Sequence, residues 1–316
     1  VANSTELWWE LSGTGIAAGD FSSGALTGSG TISNNTFNFS HTIASDNTTE
    51  GAETLNIKFY SDSGRSTQVG STVTCTINDT SLTPDYSAFS YSAEFSGNGF
   101  LSMSASPDYN VGTGNFTIEM WVKGTNTNSQ GSPSYIRMFQ TDNPSTTYNA
   151  NDSNQILQVT MQPGTGKLNT WSMGSGNGSS MNIIGGDNLM DGNWNHVATV
   201  RNGSTITQYT NGVSNGSANV GSATFDNNGS TGNRPRVGAN NTGSGNATMK
   251  ISNVRLTVGT ALYTGNFSVP TNPFTSSSGA LVMCNKSSVT TATKAHSGYT
   301  ITKTNTVAAS SDDPFD

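Results

Sequence analysis

Sites that cleave glycosidic bonds need two carboxylates that face each other about 5 to 9 Å apart. The sequence offers one carboxylate at the centre of a strand-like run, Glu119 within Thr117 to Trp121. Its neighbours Ile118 and Met120 are apolar, so the alternation predicts that Glu119 lies on an outer face, partly solvated. One unpaired carboxylate does not support hydrolysis. We therefore expect no catalytic residues and no enzyme activity.

Signals for metal ligands and nucleophiles are also sparse. The histidines His41, His196 and His296 lie far apart and make no metal-ligand spacing. His196 lies close to Trp194, and we interpret it as a packing residue at the start of a strand. No Gly-x-Ser-x-Gly elbow precedes a helix-like segment. The sequence indicates neither a catalytic nucleophile nor a histidine metal centre.

Composition limits the classes of partner. Of 316 residues, 10% are charged, and 13 basic against 20 acidic residues give a formal net charge of -7. Because Lys and Arg do not cluster, we expect no nucleic-acid partner and no anionic membrane partner. No run of about 18 apolar residues occurs, so membrane insertion is not expected. The 5 Trp, 13 Phe and 9 Tyr require a packed core, unlike a disordered chain.

The elements that would position any site are short alternating segments separated by Gly, Asn, Asp and Ser, which predict an all-β protein with little helix. In the first part of the chain the clearest predicted strands are Ala25 to Ile32, Thr36 to Ile43, Thr54 to Tyr60 and Gln68 to Ile77. Farther along, Asn211-Gly212 between two alternating runs predicts a hairpin. The alternation lapses at Pro84, where we place a boundary between domains 1–83 and 84–316.

The two cysteines lie in different domains, within strand-like apolar runs. Val73, Cys75 and Ile77 alternate with threonines, which predicts that Cys75 faces a core. We interpret Cys75 and Cys284 as two buried free thiols. A disulfide-stapled small fold is excluded by this count.

Several motifs mark the first domain. They are Leu7-Trp-Trp-Glu-Leu-Ser-Gly-Thr-Gly15, Ala18-Gly-Asp-Phe21, Ile43-Ala-Ser-Asp46, Glu50-Gly-Ala-Glu53 and Thr76-Ile-Asn-Asp79. Residues 1–83 thereby resemble a Calx-beta domain, an immunoglobulin-like sandwich. That family begins with about two strands more than this chain has, so the resemblance predicts an incomplete sandwich with an open edge. The missing strands lie upstream, are cut away, or come from another subunit.

Longer motifs mark the second domain. They are Glu94-Phe-Ser-Gly97, Pro107-Asp-Tyr-Asn-Val-Gly-Thr-Gly-Asn-Phe-Thr-Ile-Glu-Met-Trp-Val122, Asp191-Gly-Asn-Trp-Asn-His-Val-Ala198, Val254-Arg-Leu-Thr257 and Ala261-Leu-Tyr-Thr-Gly-Asn-Phe267. Residues 84–316 thereby resemble a laminin-G or concanavalin A-like jelly roll. The order of the two domains is similar to that of phage appendage and surface-fibre structural proteins. This likeness implies an extracellular or virion-surface location.

Calcium is the one cofactor that both resemblances suggest. In the first domain the matching acids are Asp46, Glu50, Glu53 and Asp79. Asn47 and Asn78 stand where a second acid is usual, and Ser252-Asn253 replaces an acidic pair of the jelly roll. We expect no required cofactor, and at most weak Ca²⁺ binding at these acids.

Two functions fit these observations. The first is a non-catalytic structural subunit of an extracellular fibre or virion appendage, which assembles with itself by β-strand addition. Its candidate donor strand is the tail from Asn305 to Phe315. The alternative is a glycan-binding adhesion module of a receptor-binding fibre, with cell-surface glycans as partners and Trp171 and Tyr148 as candidate glycan contacts.

Overall fold

The computed structural model describes residues 2–44, 51–78, 86–97, 99–124, 135–141, 157–172, 181–225, 233–238, 248–275 and 279–316. The chain divides into two compact units, Val1–Asp85 (unit one) and Tyr86–Asp316 (unit two). Strands dominate both units, as the sequence predicts. None of the helices in these ranges is long and apolar enough to span a membrane.

The described residues of unit one form two sheets. Its strands are β1 (Glu6–Ser12), β2 (Phe21–Ser23), β3 (Thr27–Thr31), β4 (Thr42–Ile43), β5 (Glu53–Tyr60) and β6 (Gln68–Ile77), and a 3₁₀ helix spans Ala18–Asp20. One sheet has the order β3-β1-β5-β6, and β2 pairs with β4. The predicted strand from Gln68 to Ile77 is confirmed as β6. Of the predicted strand from Thr36 to Ile43, the last two residues form a strand, β4.

Burial in unit one decreases toward β6. Trp9 and Leu11 of β1 and Leu55 of β5 are buried with Phe21 in one apolar cluster. Cys75 pairs directly with Leu55 and so lies on the same side of the sheet. The predicted burial of Cys75 is nevertheless wrong, because Cys75 is exposed at the sheet's outermost strand. Alternation set the side of Cys75 correctly, but it carries no information on what covers that side.

Unit two is built from fifteen of the described strands. They are β7 (Ser92–Phe95), β8 (Phe100–Met103), β9 (Phe116–Gly124), β10 (Ile136–Gln140), β11 (Leu157–Met161), β12 (Leu168–Ser172), β13 (Met181–Gly185), β14 (Asn195–Asn202), β15 (Thr205–Thr210), β16 (Val213–Asn219), β17 (Arg236–Val237), β18 (Met249–Val258), β19 (Leu281–Met283), β20 (Ile301–Thr304) and β21 (Val307–Ser310). Short 3₁₀ helices span Ser87–Phe89 and Pro107–Tyr109.

These strands form a two-layer sandwich. A seven-stranded sheet has the order β13-β12-β11-β10-β17-β8-β20, and an eight-stranded sheet has the order β16-β15-β14-β9-β18-β7-β21, with β19 paired to β18. Alternate residues of the central strands, such as Ile118 and Met120 of β9 or Leu157 and Val159 of β11, are at most 1% exposed in one shared core. The predicted hairpin at Asn211-Gly212 joins β15 to β16, and both residues have positive φ (50° and 78°).

The C-terminal tail belongs to unit two. Within it β20 pairs with β8, and β21 pairs with β7 at the edge of the eight-stranded sheet. The prediction that the tail from Asn305 to Phe315 is donated to another subunit is therefore wrong in this structure. Its strand-forming residues already have partners in their own sandwich.

Candidate functional site

The outer side of the eight-stranded sheet holds a charged cluster around Glu119 of β9. Arg255 Nε donates to Glu119 Oε1 at 2.7 Å, and the Tyr263 hydroxyl donates to Oε2 at 2.7 Å. His196 Nε2 lies 3.1 Å from the same Oε2. Glu119 and His196 are fully buried. Burial alone would raise the pKa of Glu119, but the His196 hydrogen bond, the Arg255 charge and the Tyr263 hydroxyl hold that pKa below its usual value.

This Glu119 cluster is covered by the segment that follows β18. The rings of Tyr263 and Phe267 stack with centroids 3.5 Å apart, and Phe267 also contacts the His196 ring. Phe274 of the same segment lies over the Arg255 guanidinium at 3.9 Å. The prediction of a partly solvated Glu119 is wrong, because the outer side it occupies lies beneath this segment. Both carboxylate oxygens of Glu119 have partners, whereas His196 Nδ1 is buried without one. A buried carboxylate paired in this way supports stability.

The other histidines take no part in the Glu119 cluster. His41 packs against Trp9 of unit one, and His296 contacts the Ser104 hydroxyl at 3.2 Å. His196 is confirmed as a packing residue, but its ring packs against Trp121. Trp194 instead donates to the Asp312 carboxylate. Among the described residues, no three or more His, Cys, Asp or Glu side chains gather as a metal site would require.

The tail covers a neighbouring part of this outer side. Asp312 accepts hydrogen bonds from Lys123 at 3.0 Å and Lys250 at 2.6 Å, and the Phe315 ring packs on Trp121. Partial burial opposes ionisation of Asp312, but the hydrogen bonds from Lys250, Lys123 and Trp194 outweigh it and lower its pKa to about 2. Two segments of the same chain thus cover this outer side around Glu119 and Trp121.

The outer side of the seven-stranded sheet has a different chemistry. One residue from each strand lines up through successive cross-strand pairs, and we call this set the polar row. In sheet order its members are Asn182, Trp171, Gln158, Gln140, Arg236, Ser102 and Thr302. At the usual spacing between strands the polar row extends roughly 29 Å. It combines amides, hydroxyls, one guanidinium and one indole, and it contains no carboxylate.

Exposure along the polar row is uneven. Gln140 and Gln158 at its centre are 0% and 3% exposed. Trp171 is partly exposed, and its cross-strand partner Asn182 is exposed. On the same side Ile184 is 37% exposed. Thr302 at the other end is exposed too, so the polar row reaches solvent at both ends. We call the end at β12 and β13, which carries the indole, the open end.

Hydrogen bonds orient the polar groups at the open end. The Thr160 hydroxyl donates to Asn169 Oδ1 at 2.9 Å, and Asn169 Nδ2 donates to Asn182 Oδ1 at 2.5 Å. The Asn182 side chain thereby presents its NH₂ group away from Asn169. Farther in, Gln158 Nε2 donates to Gln140 Oε1 at 2.9 Å, while Gln140 Nε2 is buried without a partner. The open end pairs an aromatic face with an oriented amide.

A family model with the description Concanavalin A-like lectin/glucanases superfamily matches residues 95–261, more than half of the chain. The chain belongs to this superfamily. The concanavalin A-like match lies within unit two and includes every member of the polar row except Thr302. A search of the curated proteins found no match.

Several solved structures are similar to this chain at low identity. A candidate carbohydrate-binding protein from Bacteroides ovatus is 14% identical with a TM-score of 0.50, over 98% of this chain and 88% of that chain. A SAP-like pentraxin from Limulus polyphemus is 16% identical with a TM-score of 0.43, over 72% of this chain and 96% of that chain. Domains LG4-5 of the mouse laminin α1 chain are 13% identical with a TM-score of 0.37, over 68% of this chain and 54% of that chain. The first of these likenesses supports the sandwich fold.

Only some of the site residues predicted from the sequence lie among the described residues. Trp171 lies at the open end of the concanavalin A-like unit, whereas Tyr148 lies outside the described residues. Of the predicted calcium ligands, Asp46, Glu50 and Asp79 also lie outside the described residues. Glu53 begins β5 and is partly exposed. Calcium binding there and the Calx-beta resemblance of residues 1–83 stay predictions.

Sequence reasoning missed the other members of the polar row. A signal was present in β11, whose sequence Leu-Gln-Val-Thr-Met alternates polar and apolar residues. That pattern marks Gln158 as outward-facing. The pattern could not show that Gln140, Arg236 and Asn182 meet it in one line, because the register between strands comes from the folded sheet.

Proposed function

We propose that unit two binds carbohydrate, without cleaving it, through the open end of the polar row. The observation that carries this proposal is the partly exposed Trp171 directly opposite the exposed Asn182. Membership of a superfamily that includes lectins supports it. The Bacteroides ovatus structure with the same fold is described as a candidate carbohydrate-binding protein, which agrees with it. We place this activity outside the cell.

The chemistry of the open end suits a hydroxyl-rich neutral ligand. The flat face of Trp171 offers apolar area to the C–H face of a sugar ring, and its rigidity keeps the entropy cost of binding low. The Asn182 amide offers donors to sugar hydroxyls at a position fixed by Asn169. Neither residue is charged. The polar row contains no carboxylate pair, which favours binding over hydrolysis.

A glycan array probed with the whole chain tests the proposal. We expect binding to a limited set of neutral glycans, and loss of that binding in Trp171→Ala. Trp8→Ala is the matched control, since Trp8 is also a partly exposed tryptophan but lies in unit one. No binding across a broad array, or equal binding by Trp171→Ala, would contradict the proposal.

The second candidate is a structural subunit of an extracellular fibre or virion appendage. The observation that favours it is a set of apolar side chains on unit one that the described residues leave uncovered. We define this open seam as Val73 and Cys75 of β6 with Ile43 of β4. Electron microscopy of the pure protein over a range of concentrations tests the role. Filaments or rings would support it, and isolated single particles at every concentration would contradict it.

A further inference from the structure

The residues of the open seam are exposed although they lie on core-facing sides. Val73 is 52% exposed and Cys75 is exposed, yet they pair with Ile57 and Leu55, which face the core of unit one. Ile43 is 47% exposed and pairs with the buried Phe21. Residues directly opposite in paired strands project to one side. Both sheets of unit one therefore leave apolar positions uncovered.

The backbone at the open seam is also unprotected. β6 is the last strand of its sheet, so its outer edge has no partner strand among the described residues. Proteins usually protect such edges with charged side chains, proline or bulges. The stretch Val73–Ile77 has no charged residue and no proline, and the irregularity in pairing with β5 lies before Val73. This stretch is a regular edge that is open to another strand.

The sequence of this edge is complementary to itself. It reads Val-Thr-Cys-Thr-Ile, with Cys75 at its centre. If two copies align antiparallel about Cys75, Val73 of one copy faces Ile77 of the other, and Thr74 faces Thr76. One side of the joined sheet is then wholly apolar and the other carries threonine pairs, both of which are favourable cross-strand combinations. No like charges meet within this stretch.

We propose that two copies of this chain pair antiparallel through Val73–Ile77, with Cys75 at the twofold axis. The two four-stranded sheets then form one continuous eight-stranded sheet. Pairing supplies hydrogen-bond partners to the free edge and places apolar side chains beside Val73 and Cys75. The interface is isologous, so it closes as a dimer, and a fibre would need a further contact.

The dimer would carry two concanavalin A-like units. A surface that displays many glycans would then be bound by both units at once, with avidity above that of one unit. This inference goes beyond carbohydrate binding. The dimer proposal and the structural-subunit candidate share only the open seam. Carbohydrate binding or the structural-subunit role could each fail while pairing through β6 holds.

Cysteine cross-linking of the whole chain tests the proposal. Opposite residues of antiparallel strands have Cα atoms about 4.5 to 5.5 Å apart, which lies within the disulfide range of about 4.4 to 6.8 Å. Mild oxidation with copper phenanthroline removes two electrons and two protons from the two Cys75 thiols and joins them. Cys284 is fully buried, and burial raises the pKa of its thiol, so it does not compete.

We expect a covalent dimer on non-reducing gels, and a monomer–dimer equilibrium in sedimentation velocity. Val73→Lys should abolish both, whereas the control Val213→Lys, at a site of similar exposure (56%), should change neither. Cys75→Ser should keep the reversible dimer and lose the covalent one. The three substituted side chains are exposed, so we expect the variants to fold. The cross-link in the wild-type protein tests the proposal without any substitution.

Two results would overturn the proposal. One is a monomer at all concentrations with no Cys75 cross-link, and the other is a dimer that Val73→Lys leaves intact. Filaments without the cross-link would keep the structural-subunit candidate and overturn β6 pairing. Glycan binding is measured separately on the same samples, so its absence would not be mistaken for failure of the dimer.

Discussion

The two outer sides of the concanavalin A-like unit differ in what their polar residues do. On the eight-stranded sheet, the Glu119 cluster gathers a carboxylate, an imidazole, a guanidinium and a phenol within hydrogen-bond distance, and the segment after β18 covers it. On the seven-stranded sheet, six uncharged residues and Arg236 line one row, and Trp171 and Asn182 reach solvent at its open end. The comparison teaches that the ionisable side chains around Glu119 stabilise the fold, whereas the candidate binding site is the uncharged, accessible open end.

The physical reason lies in the cost of removing polar groups from water. A buried charge is tolerated when partners satisfy it, as Arg255, His196 and Tyr263 do for Glu119. Such a group has no capacity left for a ligand. An exposed amide such as that of Asn182 exchanges water for a sugar hydroxyl at little cost.

The largest effect on stability is expected from Glu119→Gln. This substitution tests whether the Glu119 cluster on the eight-stranded sheet stabilises the fold. The change leaves the partly buried Arg255 without its counter-charge, so we expect a loss of about 3 kcal/mol in unfolding free energy, the lower end of the range for a buried pair. Chemical denaturation monitored by tryptophan fluorescence measures it. Glu94→Gln is the control, because Glu94 is exposed on β7 of the same sheet. Equal stability of Glu119→Gln and wild type would refute the supporting role.

A smaller loss is expected from Asn169→Ala on the opposite side. Asn169 is 1% exposed and bonds both Thr160 and the Ile183 carbonyl, so we expect a loss of about 1 to 3 kcal/mol in unfolding free energy. The variant also frees the Asn182 side chain, which should weaken glycan binding. Denaturation and calorimetric titration measure the two effects. Unchanged affinity in a folded Asn169→Ala protein would show that orientation of Asn182 does not matter.

The smallest effect concerns the tail that covers the eight-stranded sheet. The folded pKa of Asp312, about 2, lies below its ordinary value of 3.8. Its contribution to stability is therefore fully present above about pH 4 and is lost as the pH falls toward 2. We expect wild type to lose more thermal stability over this interval than Asp312→Asn. Asp108→Asn, at an exposed position, should behave like wild type.

The sequence predicted some elements because local alternation alone decides them. β6 matches its predicted bounds, and the Asn211-Gly212 hairpin needs two residues with positive φ. Trp171 was found as an aromatic residue in a strand. What could not be predicted depends on distant segments. Glu119 is covered by a segment about 140 residues later in the chain, which has no regular period.

Cys75 and the tail illustrate the same limit. Periodicity places Cys75 on the core side, but its exposure depends on which strand ends the sheet. The short strands β20 and β21 pair with β8 and β7, which lie about 200 residues earlier. Such long-range pairing has no local signature, so the tail could be taken as a free strand.

The most direct test of the account is calorimetric titration of one array-selected glycan into wild type, Trp171→Ala and Tyr263→Phe. Tyr263→Phe removes the hydroxyl that donates to Glu119 and keeps the ring stacked on Phe267. We predict that Trp171→Ala weakens binding about tenfold or more, which corresponds to about 1.4 kcal/mol, while Tyr263→Phe binds like wild type. Full affinity in Trp171→Ala, together with lost affinity in a folded Tyr263→Phe, would contradict the account and move the binding site to the Glu119 cluster.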